Sequence, residues 1–157
     1  MKQLTQYLTE KFKLNSKNVD KHNYHPKDVS ELKELIRKLI KERGEDADLN
    51  DIDVSEITDM TEAFYDNKLI VANINISKWD VRNVKNMEKM FANQFIFDCD
   101  LSEWDVSNVI NMKNMFNGCL SFHGKGLENW NVSKVKDMKE MFYNCYKLKI
   151  KPKWYKL

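Results

Sequence analysis

Glycine and proline are scarce in this sequence, four and two of 157 residues. Its turns must therefore be made by Asn, Asp and Ser, whose side chains satisfy neighbouring backbone groups. No apolar run reaches 18 residues, and the opening stretch MKQLTQYLTEKFKL alternates charge with hydrophobe. A membrane span and a secretory signal peptide are both excluded by that pattern, so a cytoplasmic or virion location is expected. Cysteine is limited to Cys99, Cys119 and Cys145. An odd number of thiols in a chain with no export signal argues for buried free cysteines in place of a disulfide framework. Histidine is equally sparse, at His22, His25 and His123, and no HExxH, CxxC, GxSxG, P-loop or GxGxxG motif occurs. Nucleophilic, metal-assisted and nucleotide-dependent catalysis lose their usual signatures together, and no cofactor is implied.

What is present is a balanced globular mixture, 42% hydrophobic and 32% charged, which excludes the disordered class. The length suits one cooperative unit. The net charge of +2 conceals an asymmetry: residues 45–66 hold nine acids and no Lys or Arg, whereas residues 1–44 carry 11 basic and six acidic side chains. Residues 145–157 add five lysines and no acid. Packing between the basic and acidic segments, or an end-to-end field that orients a partner, follows from that layout.

Self-similarity organises most of the chain. Met60, Met87, Met112 and Met138 are spaced by 27, 25 and 26 residues, and Phe64, Phe91, Phe116 and Phe142 each follow four later. Upstream stand Ile57, Val84, Val109 and Val135, then Val54, Val81, Val106 and Val132, then Ile52, Trp79, Trp104 and Trp130. Leu49, Ile76, Leu101 and Leu127 open the copies, and Ile70, Phe97, Phe122 and Leu148 follow the phenylalanines. Within one copy, Trp104-Asp105-Val106 alternates in the manner of a strand. Met112, Met115, Phe116 and Cys119 fall at i, i+3, i+4 and i+7, the spacing of a two-turn helical face. Asp59, Asn86, Asn111 and Asp137 stand before that face as N-cap types, with Asp59/Glu62 and Asp137/Glu140 at capping-box spacing. A unit of this size cannot bury its apolar columns alone, so copies must stack. The expected fold is an α/β repeat solenoid, a leucine-rich-repeat-like stack of short parallel strands and short helices with an N-terminal helical cap.

The stretches LSEWDVSNVINMKNMF and LENWNVSKVKDMKEMF resemble the repeat of BspA-like bacterial and mycoplasmal surface proteins, which are grouped with the leucine-rich repeats. The resemblance covers roughly residues 49–150 and is carried by W-D-V-S-N-V-x-N-M-x-x-M-F. The segment NYHPKDVSELKELIRKLIKERGEDADLNDIDVSEITDM is also similar to a leader that precedes such repeats in proteins of gut bacteria and their phages. The resemblance implies a binding or surface role without catalysis. Many relatives are exported, and this chain departs from them in lacking a visible export signal.

Two regions follow: a helical leader or cap over residues 1–48, and residues 49–157 as four coils plus a partial fifth begun by Trp154. In the leader, Leu32, Leu35, Ile36, Leu39 and Ile40 form an apolar stripe, Asp28 and Glu31 have capping-box spacing, and Gly44 suits the C′ position. A second helix is expected near residues 2–12, with Leu4, Tyr7, Leu8 and Phe12 inward.

The candidate partner-binding residues are those that alternation turns outward between the buried positions. They are Asp53, Asp80, Asp105 and Asn131 in one row, flanked by Lys78, Arg82 and Glu103. The competing reading is a solvated ladder bonded to its own backbone. His22 and His25 are solvated linker residues on this reading, and Cys119 and Cys145, aligned with Asn67 and Gln94, fill a packing slot. The tryptophans belong to the core, with each indole N–H seeking a carbonyl of the adjacent coil. A protein partner is expected. The expected function is a non-enzymatic protein-interaction or structural module, phage- or prophage-associated; the alternative is a nucleic-acid-binding or anti-defence accessory using the basic termini, disfavoured because the acidic row would repel phosphate.

Overall fold

The computed structural model describes residues 22–65 and 74–156. The helix expected near residues 2–12, Asn67 and the apolar position Ile70 lie outside them. Helix α1 spans Val29–Arg43 and forms because its apolar residues recur on one face and both ends are capped. Asp28 accepts the Glu31 N–H at 2.9 Å, and the Glu31 carboxylate accepts the Lys27 N–H at 3.0 Å. Gly44, at φ 91°, closes the other end by donating to the Ile40 carbonyl. Leu32, Leu35, Ile36 and Leu39 are fully buried in the same apolar cluster as Leu49, Ile52 and Val54 of the first copy. Arg43 ties the helix to that copy through both carboxylate oxygens of Asp51, at 2.8 and 2.9 Å.

The α/β expectation is overturned. Among the described residues there is one α-helix and no sheet, so this is not a leucine-rich-repeat-like array of strands and helices. Pairing is confined to isolated parallel bridges, including Asp59 with Asn86, Asn86 with Asn111, and Asn111 with Asp137. Those bridges fall on the expected N-cap column. The expected Trp104-Asp105-Val106 strand is an irregular link between two turns, closed by the Trp104 N–H on the Leu101 carbonyl at 3.2 Å and the Val109 N–H on the Val106 carbonyl at 3.0 Å.

The expected two-turn helix fails for a definite reason. Alternate N–H groups leave the segment for the next copy: Met112, Asn114, Phe116 and Gly118 donate to the carbonyls of Asp137, Lys139, Met141 and Tyr143 at 2.8–3.0 Å. The N–H groups that follow the last three of these, of Met115, Asn117 and Cys119, turn back only three residues, and that of Lys113 bonds the Asn111 side chain. No i to i−4 ladder can form around that alternation. Asn114 is also left-handed at φ 54°, as are its equivalents Glu62, Lys89 and Glu140 at 56°, 52° and 55°, which interrupts any right-handed helix. The capping boxes are absent with it: Asp59 and Asp137 instead accept the N–H two residues ahead, from Thr61 and Lys139. Successive three-residue turns still bring Met112, Met115, Phe116 and Cys119 inward, and all four are fully buried.

The copies do stack. Phe64, Phe91, Phe116 and Phe142 form a ring column with centroid steps of 5.0, 5.5 and 5.8 Å. Each such pair contributes about 0.5–1.5 kcal/mol beyond its buried area. The indole N–H groups of Trp79, Trp104, Trp130 and Trp154 bond the carbonyls of Leu49, Ile76, Leu101 and Leu127, the residue that opens the preceding copy, at 2.7–3.2 Å. Asn83 and Asn108 repeat the device on the outside, each donating to a carbonyl of the copy before.

Candidate functional site

The outward row is built by one local device. Asp53, Asp80, Asp105 and Asn131 each accept the backbone N–H two residues ahead, from Ser55, Arg82, Ser107 and Ser133, at 2.9–3.3 Å. The apolar residues on either side, Ile52 or Trp and the following Val, face the stack, buried except for the partly buried Val132, so each of these side chains is held at its own turn. Asp80 is also clamped by Arg82, at 2.8 and 2.7 Å. That bond from Arg82 holds the Asp80 carboxyl below its ordinary range and raises the guanidinium. Asp105 is held low chiefly by its bonds from Ser107, with the charge of Arg82 adding to them. Arg82 therefore stands between two carboxylates and offsets their repulsion. At Asp53, burial opposes ionisation, but bonds from Ser55 and the nearby His22 and His25 outweigh it and the carboxyl lies low. His25 Nδ1 is 3.0 Å from Asp53 Oδ2.

Five of the seven predicted residues meet. Lys78, Asp80, Arg82, Glu103 and Asp105 line one open hollow of about 360 Å³, with the nearly buried Trp79 and Val81 among its walls. Asp53 and Asn131 are outside it, one against the leader and one in the fourth copy. The arrangement offers charges of both signs on one open surface and can recognise a polar partner. Sequence reasoning missed the adjoining acidic hollow of about 270 Å³ at Asp98, Asp100 and Glu103. Lys125, 2.6 Å from Asp100, is the main reason that this carboxyl falls to about 2. It also missed an exposed apolar column, Phe95, Leu120 and Tyr146. Each stands one residue after the slot of Gln94, Cys119 and Cys145, and that register was the available signal.

The slot itself is structural. Gln94 Nε2 donates to the Phe64 carbonyl at 2.6 Å, and the thiols of Cys119 and Cys145 reach those of Phe91 and Phe116 at 3.0 Å. Burial pushes Cys119 well above a normal thiol and Cys145 to about 11, which leaves both poor nucleophiles. Among the described residues, no cluster of three or more His, Cys, Asp or Glu side chains is arranged to hold a metal ion. No described helix is long and apolar enough to cross a membrane.

A family model matches residues 30–154, most of the chain, under the description Mycoplasma protein of unknown function, DUF285. The chain belongs to this family. The DUF285 match takes in all of α1 but its first residue and every copy of the repeat through Trp154, so the helix and the stack fall within one family unit. Comparison with curated proteins and with solved structures found no match.

Proposed function

We propose that this DUF285 chain is a non-enzymatic protein-interaction module, kin to the BspA-like surface repeats, that binds a partner across the hollow at Lys78, Asp80, Arg82, Glu103 and Asp105. One observation carries the reading: side chains from two consecutive copies converge on one open hollow, and its two aspartates are already fixed by bonds to their own turns. A surface ordered before binding loses little further side-chain entropy on association. The raised thiols of Cys119 and Cys145 and the ion-paired carboxylates are configured for packing and recognition, which supports a role without catalysis.

The experiment is site-specific photocrosslinking from position 103 in the intact chain, with the captured protein identified, purified and titrated against the wild type. A Lys78→Glu/Arg82→Glu variant should weaken that binding at least about tenfold, mostly in a salt-dependent way. Equal affinity of the variant and the wild type would exclude the hollow.

A further inference from the structure

We propose that the C-terminal edge of the stack is a docking site for an acidic segment of a protein partner that takes up the turned conformation of the copies and adds in parallel as one more rung. The proposal concerns a surface separate from the hollow and stands on the bonding register between copies. In the second copy, Met87, Lys89, Phe91 and Asn93 donate to carbonyls of the third; in the third, Met112, Asn114, Phe116 and Gly118 donate to the fourth. The equivalent N–H groups of the fourth copy belong to Met138, Glu140, Phe142 and Asn144, and among the described residues none of them has an acceptor. The carbonyl of Lys136 is in the same position: its equivalents Thr58, Lys85 and Ile110 each accept from the following copy. The edge therefore presents one acceptor and four donors at a spacing of two residues, which a segment in the same turned conformation as the copies, with alternate carbonyls aimed to one side, completes; a regular extended strand, which alternates N–H and C=O along its edge, does not.

The apolar positions beside the row are open as well. Val106, Val109 and Met112 of the third copy are buried to within 1%, whereas Val132, Val135 and Met138 are only partly buried. The tail covers the other half of this end, with Trp154 on Trp130 and Tyr155 on Phe142, and leaves the donor row uncapped. Charge selects the occupant. Lys134, Lys136 and Lys139 are exposed along the edge and outnumber Asp137 and Glu140, and the five exposed lysines between Lys147 and Lys156 lie on the adjoining tail. A second copy set edge to edge is disfavoured, because its own C-terminal edge would bring donors against donors and lysines against lysines; head-to-tail addition of a second copy is an outcome of the test, and self-association of the intact chain without peptide would overturn the acidic segment as the occupant. Peptide is favoured over nucleic acid because every equivalent donor row in the stack is filled by peptide carbonyls at 2.7–3.0 Å. Lysines on an exposed edge commonly discourage neutral strands, and the same charges attract an acidic one.

The test titrates the intact chain with a synthetic peptide of residues 132–146 carrying Lys134→Glu, Lys136→Glu and Lys139→Glu, which supplies carbonyls in the register of a further copy. It should bind at least about tenfold more tightly than a scrambled peptide of the same composition. Hydrogen exchange should slow at the amides of Met138, Glu140, Phe142 and Asn144. The same three substitutions made in the protein should weaken binding about tenfold or more, with circular dichroism confirming the fold. If that variant does not fold, Lys139→Glu alone serves. Unchanged exchange at the four amides, equal binding of the scrambled peptide, or displacement of the peptide by an equal concentration of oligothymidylate would each overturn the proposal.

Discussion

Replacing Trp104 by alanine removes three contacts at once. Its ring lies 6.5 Å from that of Trp79 and 6.2 Å from that of Phe91, its side chain is 4% exposed, and its N–H reaches the Ile76 carbonyl at 3.0 Å. Truncation of such a ring costs about 3–5 kcal/mol in lost transfer energy and residual cavity. The orphaned carbonyl adds little, because Ile76 still accepts the backbone N–H of Trp79. A small domain is stable by about 5–15 kcal/mol, so this one change removes a large part of the total. Trp104→Phe separates the contributions: it keeps a ring in the stack and loses the N–H bond, for a cost of about 1–2 kcal/mol. Trp154→Ala, at the half-covered end, should cost less than Trp104→Ala. Urea denaturation monitored by circular dichroism measures all three. A loss below about 1 kcal/mol for Trp104→Ala would show that the tryptophan column does not hold adjacent copies together.

The outward aspartates give a second test: Asp105→Asn keeps an oxygen that can accept the Ser107 N–H, as Asn131 does for Ser133, and should leave stability nearly unchanged. Asp105→Ala should cost about 0.5–2 kcal/mol in the same urea assay, the range for losing a side-chain cap. Asp100 has its carboxyl lowered from the ordinary 3.8 to about 2. Its contribution is therefore complete above the unfolded value and is lost as pH falls from about 4 toward 2, and Asp100→Asn should flatten the melting curve in that window. Gly126, at φ 90°, lies where an added Cβ would strike the backbone of Leu101 and Ser102; Gly126→Ala should destabilise by more than about 1 kcal/mol, and a neutral result in thermal melts would refute that close approach. Thiol labelling of the native chain should leave Cys119 unreacted over the time in which unfolded chain is fully modified, and rapid modification would contradict its burial.

The sequence made the inward residues legible and left the backbone hidden. The columns of Trp, Val, Met and Phe point into the stack as alternation and spacing required, and the indole N–H groups find the neighbouring carbonyls. Burial depends only on which residues share a side. The reading of Met112, Met115, Phe116 and Cys119 as a helix failed because successive three-residue turns satisfy the same spacing, and periodicity cannot tell the two apart. What separates them is where the N–H groups go, and that depends on the neighbouring copy. The outward row was legible as two alternatives, a partner surface or a ladder bonded to its own backbone, and the local bonds are present: the N–H of the Ser or Arg two residues ahead supplies each aspartate with a donor, and Arg82 supplies a counter-charge. The hollow was half legible: alternation named the residues that line it, but which of them meet depended on the turns.

Four non-glycine residues in left-handed conformation, Glu62, Lys89, Asn114 and Glu140, occupy one position in successive copies. For an ordinary side chain each such residue costs about 1–2 kcal/mol, and only asparagine among these three types lowers that cost by its own chemistry. The strain persists because the left-handed turn aims alternate N–H groups out of the chain, toward the carbonyls of the next copy, which a right-handed helix would have bonded internally. In the first three copies each strained residue itself makes that bond, Glu62 to Glu88, Lys89 to Lys113 and Asn114 to Lys139, at 2.9 Å. The local conformation is unfavourable and the bond between copies compensates it, so a single copy has little reason to hold this shape alone. At Glu140 the strain is present and the compensating carbonyl is missing among the described residues. That position is thus where the stack has most to gain from another rung, and the same residue lies in the donor row of the C-terminal edge.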